Sequence, residues 1–294
     1  MQFGEKLAPL AIVVGVITVS FSAILVKLSS GEPGVIAFYR MFFSALILLP
    51  FFMKGHLKEV KLLKKKDWLI TFAAGTLLAF HFILWFESLQ YTSVASSTVL
   101  VTMQPLFAFA GAYFLFNEKI SAKAIISAVA AISGSVLIGI GDLQVSGMAL
   151  FGDVLALISC AFVTGYLLFG QSVRKHLPLT TYTFIVYSIS AVVLFLYVLI
   201  KGESLGPFET NDWLIFLGLA ILPTLFGHSL FNWAIKWVST TVISMAILFE
   251  PVGAAIFAYF ILDEAVGSAQ LTGGMIILLS LGFFVLTIKR IKVS

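Results

Sequence analysis

The 294-residue chain is 60% apolar and only 11% charged, against about 25% charged residues in an ordinary soluble domain. That leaves too little polar surface for a water-soluble fold and, once about ten spans of ~20 apolar residues are laid out, no room for an extramembrane catalytic domain. The net charge of +4 is carried by short connections between apolar runs and not by a basic patch interleaved with exposed aromatics, which excludes nucleic acid as a partner and points to membrane orientation.

In chain order, the first apolar run covers about 7–29. It is too long for a secretory h-region and lacks a clear small-residue cleavage site, so it is predicted as a retained first helix. The second span is predicted at 33–53, after the turn Ser30-Gly31-Glu32-Pro33-Gly34. The third and fourth follow at 68–89 and 93–116, the fifth at 121–141 and the sixth at 149–172. Spans seven to ten are predicted at 178–200, 212–235, 238–262 and 266–288. Turn chemistry at Gly141-Asp142, at His176-Leu177-Pro178 and between Gly202 and Asp212 separates several of them. The fold class is therefore all-α and polytopic, with the lipid bilayer as its solvent.

Lys and Arg orient these spans. With the N-terminus taken as cytoplasmic, the inside segments hold Lys6, the lysines from Lys54 to Lys66, Lys119, Lys123, Arg174, Lys175, Lys236, Lys289, Arg290 and Lys292. These are 15 of the 18 basic residues, while Lys27 and Lys201 fall outside and Arg40 lies within the second span. The split predicts both termini inside a cell membrane, and an even number of spans.

The chain repeats itself. Asp67-Trp68-Leu69-Ile70 recurs as Asp212-Trp213-Leu214-Ile215. Phe38, Ser44, Ser93, Pro105, Tyr113-Phe114 and Asn117-Glu118 recur as Phe184, Ser190, Ser239, Pro251, Tyr259-Phe260 and Asp263-Glu264, at an offset of 146. Two halves, 1–146 and 147–294, each hold five spans. Five is odd, so the second half enters the membrane from the other side. Such inverted repeats predict a secondary transporter with its site near the midplane, although a duplication also builds a plain bundle.

Further motifs are Phe38-Tyr39-Arg40-Met41 in the second span, the stretch from Leu84 to Ser93, Pro105, Asn117-Glu118-Lys119, Asn232-Trp233-Ala234-Ile235, Glu250-Pro251, Asp263-Glu264 and Gln270-Leu271-Thr272-Gly273-Gly274. In order and spacing they resemble the EamA branch of the drug/metabolite transporter superfamily. The resemblance runs along the whole chain. It implies two inverted five-helix repeats around a central cavity, with the fifth and tenth helices peripheral, and export of a small metabolite that is amino-acid-like or drug-like.

Candidate site residues are the polar groups stranded at depth. Glu250 lies near the centre of the ninth span, where an ionisable group costs at least ~2.5–3.5 kcal/mol to insert. It could carry a proton or bind an ammonium, or simply satisfy backbone freed by Pro251. Gln104, before Pro105, is its repeat mate, and both prolines remove a donor and can bend their helices at matched depth. Arg40 could hold a carboxylate bidentately, or pair structurally with a helix end or Glu32. His81 shares a helix face with Trp85, and His228 with Asn232, as proton relays or as neutral packing partners. Tyr39, Phe21, Tyr113 and Trp85 could line an aromatic cavity or only pack. Ala131, Ser135 and Gly139 form a small-residue stripe suited to close packing, within the chain or in a homodimer. Cys160 is predicted as a buried packing residue.

No H-E-x-x-H or Walker motif and no carboxylate pair set for a metal is present, so neither an enzyme nor ATP-driven transport is expected, and no cofactor or metal. The remaining expectations are a transporter with a small-molecule substrate and proton or ion coupling, or a non-transporting membrane sensor or assembly factor.

Overall fold

The computed structural model describes residues 2–61, 63–140, 147–263 and 266–287. Among these it contains helices and turns but no strand. Ten helices are long and apolar enough to cross a membrane: α1 Gly4–Leu28, α2 Pro33–Gly55, α3 Lys65–Ser88, α4 Val94–Phe116, α5 Ala122–Gly139, α6 Gly147–Val173, α7 Leu179–Lys201, α8 Thr210–Ala234, α9 Thr240–Leu262 and α10 Ser268–Leu286. Leu10, Phe114, Ile200, Phe260 and Leu286 are among the many large apolar side chains left exposed. Such an apolar surface is stable against hydrocarbon and not against water.

The duplication is visible element by element. α4 is broken into Val94–Val101 and Gln104–Phe116, and α9 into Thr240–Ile247 and Glu250–Leu262. α4 ends on Asn117 at φ 53° and α9 on Asp263 at φ 54°, the two non-glycine residues with positive φ among those described. Asn and Asp tolerate this left-handed cap because their short polar side chains bond locally. The helix contacts map onto themselves when each helix is exchanged for the one five places along. α3 packs on α6 as α8 packs on α1, while α2 pairs with α7 and α5 with α10. The connection at 141–146, where the halves are predicted to meet, lies outside the described residues, as do Glu264 and the basic residues Lys289, Arg290 and Lys292.

α5 and α10 touch along small residues. Ala131 and Ser135 are fully buried, and a Cβ on Gly134 would come within 2.7 Å of the Gly273 carbonyl. The stripe is thus spent inside the chain, with Gly139 further along the same helix and near Val99.

Polar links tie the halves together at each face. On the face that carries Lys54, Lys65, Lys119 and Lys123, Asp67 Oδ1 lies 3.0 Å from His176 Nε2. On the opposite face its counterpart Asp212 accepts from Ser29 Oγ at 2.8 Å, Ser30 N at 2.9 Å and Ser30 Oγ at 2.6 Å. Each aspartate opens the third helix of one half and holds the loop between the first two helices of the other.

Candidate functional site

The breaks in α4 and α9 follow from their sequences. Proline fits the first turn of a helix, where its missing N–H has no intrahelical role, whereas in the interior it removes a hydrogen bond and crowds the preceding turn. The chain accordingly stops and restarts, so that Pro105 and Pro251 each become the second residue of a new helix segment. Thr102 closes the earlier segment of α4 by returning its hydroxyl to the Thr98 and Val99 carbonyls, at 2.9 and 3.0 Å. Gln104 and Glu250 are thereby the first residues of two half-helices. Their positive N-terminal ends lie midway along the bundle.

These two residues share one small cavity of about 30 Å³ with Arg40, His81, Trp85 and His228. Apolar neighbours including Val163, Leu167, Phe231 and Ile247 complete the walls. Arg40 is wholly buried. Its Nε donates to Thr224 Oγ1 at 2.9 Å and its Nη1 to Ser22 Oγ at 2.7 Å, and its guanidinium lies 4.2 Å over the centre of the Phe82 ring. This is neither a helix-end pairing nor a pairing with Glu32. His81 Nδ1 lies 2.8 Å from Ser159 Oγ, and its ring stacks on Trp85 with centroids 5.7 Å apart.

Other polar groups of the lining have no protein partner. Trp85 Nε1, Gln104 Oε1 and His228 Nδ1 are buried and unbonded. Glu250 is 7% exposed, and none of the described hydrogen bonds or ion pairs involves its carboxyl. A buried polar group without a partner costs about 1–3 kcal/mol, and several converging on one point mark a place for a polar guest. A volume of 30 Å³ holds one or two water molecules but no metabolite, so the cavity is closed around its polar groups.

Asn232 stands behind His228 and outside the lining. Its Nδ2 donates to the His228 carbonyl at 2.8 Å and to the Tyr166 hydroxyl. Tyr39 stands apart from the other candidates. It is next to Arg40 on one helix, where neighbouring residues point about 100° apart, and it is not among the residues that line this cavity. Its hydroxyl donates to the Leu205 carbonyl at 2.8 Å, and its ring packs between Trp213 and Phe216 near the face opposite the lysines. Phe21 stacks on Phe257 at 3.7 Å, and Tyr113 is 58% exposed on the outer surface. Neither is part of the lining. Ser22, Thr224 and Ser159, which orient Arg40 and His81, carry no signal of their own in the sequence.

Two larger openings flank the cavity. On the face opposite the lysines, a vestibule of about 540 Å³ runs between the ends of α1, α3, α4 and α9, past Val26, Phe86 and Val94, down to Thr98 and Pro251. It stops one residue from Glu250. On the lysine-rich face polar contacts join the helices at the corresponding level. Gln171 Oε1 accepts from Thr240 N at 2.6 Å, and Arg174 Nε donates to the Asn232 carbonyl at 2.9 Å. A separate apolar groove of about 800 Å³ opens sideways there, between α1, α9 and α10.

Among the described residues, no three His, Cys, Asp or Glu side chains are grouped to hold a metal. Cys160 is buried.

Comparison with known proteins adds the following. Residues 6–140 and 150–286 each match the model of the EamA-like transporter family. An uncharacterized transporter of Archaeoglobus fulgidus is 25% identical over 281 residues, which cover 95% of this chain and 94% of that one. A second uncharacterized transporter from the same organism is 24% identical over 282 residues, covering 92% and 93%. One protein of known crystal structure has the same fold, with a TM-score of 0.80 at 15% identity over 97% of this chain and 98% of its own.

Proposed function

Because the chain belongs to the EamA-like transporter family, we propose that it is a secondary active transporter. In this reading it carries a small amino-acid-like or drug-like metabolite across the cell membrane by alternating access, with export as the working direction and no enzymatic activity. The observation that carries the reading is the closed midplane cavity, where the half-helices beginning at Gln104 and Glu250 meet Arg40, Trp85 and His228 with polar atoms left unpartnered. Such pairing of broken helices at matched depth in two repeats is how transporters build a site that either side can reach.

The chemistry of the lining suggests how a solute is held. A carboxylate would meet the free part of the Arg40 guanidinium, an ammonium would meet Glu250, and an apolar side chain would lie against Leu167 and Phe231. Glu250 doubles as the coupling group, losing its proton towards one face and regaining it towards the other. The lysine-rich face is read as cytoplasmic, since basic loops are retained there. The vestibule then faces outward.

The test is flux in liposomes made with the purified protein and no nucleotide, across a broad metabolite panel. Glu250→Gln is expected to fold normally and to lose the dependence of flux on a pH gradient. Flux in that variant still driven by the gradient would end the coupling role, and no flux of any solute in folded wild-type protein would end the transporter reading.

A further inference from the structure

The two halves are not perfect copies, and the difference sits beside the cavity. Asp67 and Asp212 are 145 residues apart, whereas Phe80 and Phe226, Ser93 and Ser239, and Pro105 and Pro251 are 146 apart. One extra residue therefore enters the second half between Ile215 and Phe226. In the structure, α8 holds a π-helical stretch, Ala220–His228, in that region. Its counterpart α3 is α-helical from Lys65 to Ser88. A π-bulge is the form a single-residue insertion takes when the helix on both sides keeps its register.

The local chemistry explains why the extra residue is accommodated here. Pro223 has no N–H, so the Leu219 carbonyl loses its i+4 partner. Thr224 supplies one from its hydroxyl at 2.9 Å, five residues on, and Ser229 Oγ closes on the Thr224 carbonyl at 3.3 Å, again over five. Thr224 is fully buried. The widened turn brings its oxygen to Arg40 Nε at 2.9 Å and sets His228 in the cavity wall. With Nε on Thr224 and Nη1 on Ser22, no described hydrogen bond uses Nη2.

We propose that α8 carries a one-residue insertion whose role is to position Arg40 through Thr224, so that the guanidinium offers Nη2 to an anionic oxygen of the solute. Thr224 is a positioning residue that acts through Arg40. The inference rests on the cavity being the solute site, and its structural part stands apart from that.

Two experiments test it. Phe226 and Phe80 are both exposed on the outer surface, at 52% and 43%, so deleting either removes little packing. Deletion of Phe226 is expected to turn the π stretch into plain α-helix and to leave a folded protein. Deletion of Phe80 rotates the rest of α3 by about 100° and is expected to abolish folding. Equal loss in both would overturn the insertion. The second experiment reads the rise in melting temperature with matched probes, leucine against leucinamide and phenylalanine against phenylalaninamide. Wild type is expected to favour the acids, Thr224→Val to lose that preference by about tenfold or more in apparent affinity, as for a hydrogen bond to a charged group, and Thr224→Ser to restore it. An undiminished preference in Thr224→Val would overturn the positioning role. Wild type with no preference would instead overturn the carboxylate reading of Arg40 and, with it, the presentation of Nη2, leaving the insertion to the deletion pair.

Discussion

Glu203, in the connection between α7 and α8, accepts the backbone N–H of Val35 at 3.0 Å and so caps the start of α2 from the other half of the chain. Burial raises its carboxyl above the ordinary range, with the like charges of Glu32 and Glu87 adding to the effect and the Val35 N–H and Lys201 opposing it. A raised carboxyl favours the folded state when protonated. That stabilisation is fully present below the ordinary carboxylate value and is lost as pH rises through the raised one. Melting temperature in detergent is expected to climb on acidification through this window, and the part lost in Glu203→Gln measures the contribution of this one group. At the same scale, the lining of the candidate site was largely legible in the sequence wherever polarity was conspicuous. Arg40, His81, Gln104, His228 and Glu250 stand out in apolar runs because insertion penalises them, and all five line one cavity. Ser22, Thr224 and Ser159 were not legible. A hydroxyl in a membrane helix is usually satisfied by its own preceding turn, as Ser20 is by Val16 at 2.8 Å, and nothing local distinguishes one that reaches across. The place of Tyr39 was not legible either, because an aromatic ring suits a cavity, a lipid face or a packed cluster equally well.

Among the helices, those that stay whole and those that break have different work. α5 and α10 run unbroken and lie together with the Gly134 backbone against Gly273. Gly134→Val is expected to force them apart and to cost about 1–3 kcal/mol, the usual price of overpacking, read as a lowered thermal midpoint. α4 and α9 break at Gln104-Pro105 and Glu250-Pro251, and proline makes such positions readable. The break in α1, between Gln2–Val19 and Ser22–Leu28, has no proline to announce it. Nor does hydropathy reveal the π stretch in α8. Its only trace in the sequence is a one-residue slip in a weak repeat, and reading it requires knowing that both flanks keep their packing.

For the molecule as a whole, the two faces differ. The vestibule reaches the helix breaks from one side, while hydrogen bonds of Gln171 with Thr240 and of Arg174 with Asn232 cross between helices at the other. Cys160 is the single cysteine and is buried, which gives a quiet background for labelling. A membrane-impermeant maleimide applied outside cells is expected to modify Ala95→Cys in the vestibule and to leave Gln171→Cys unmodified. Labelling of both positions alike would contradict a seal at the lysine-rich face. The ten-span architecture was legible because hydropathy and the lysine distribution act over the whole chain, whereas the conformational state depends on a handful of contacts between residues far apart in sequence.

That distance in sequence also has a cost in time. Arg40 and Thr224 are 184 residues apart. At roughly 5–20 residues per second of synthesis, about 10 to 40 seconds pass between the two emerging from the ribosome. Throughout that interval a guanidinium belonging at the centre of the finished protein has no α8 to receive it. A nascent chain in this position must keep its second helix close to the headgroups or within the insertion machinery until the eighth arrives. Assembly is therefore paced by the later half of the message as much as by the earlier one.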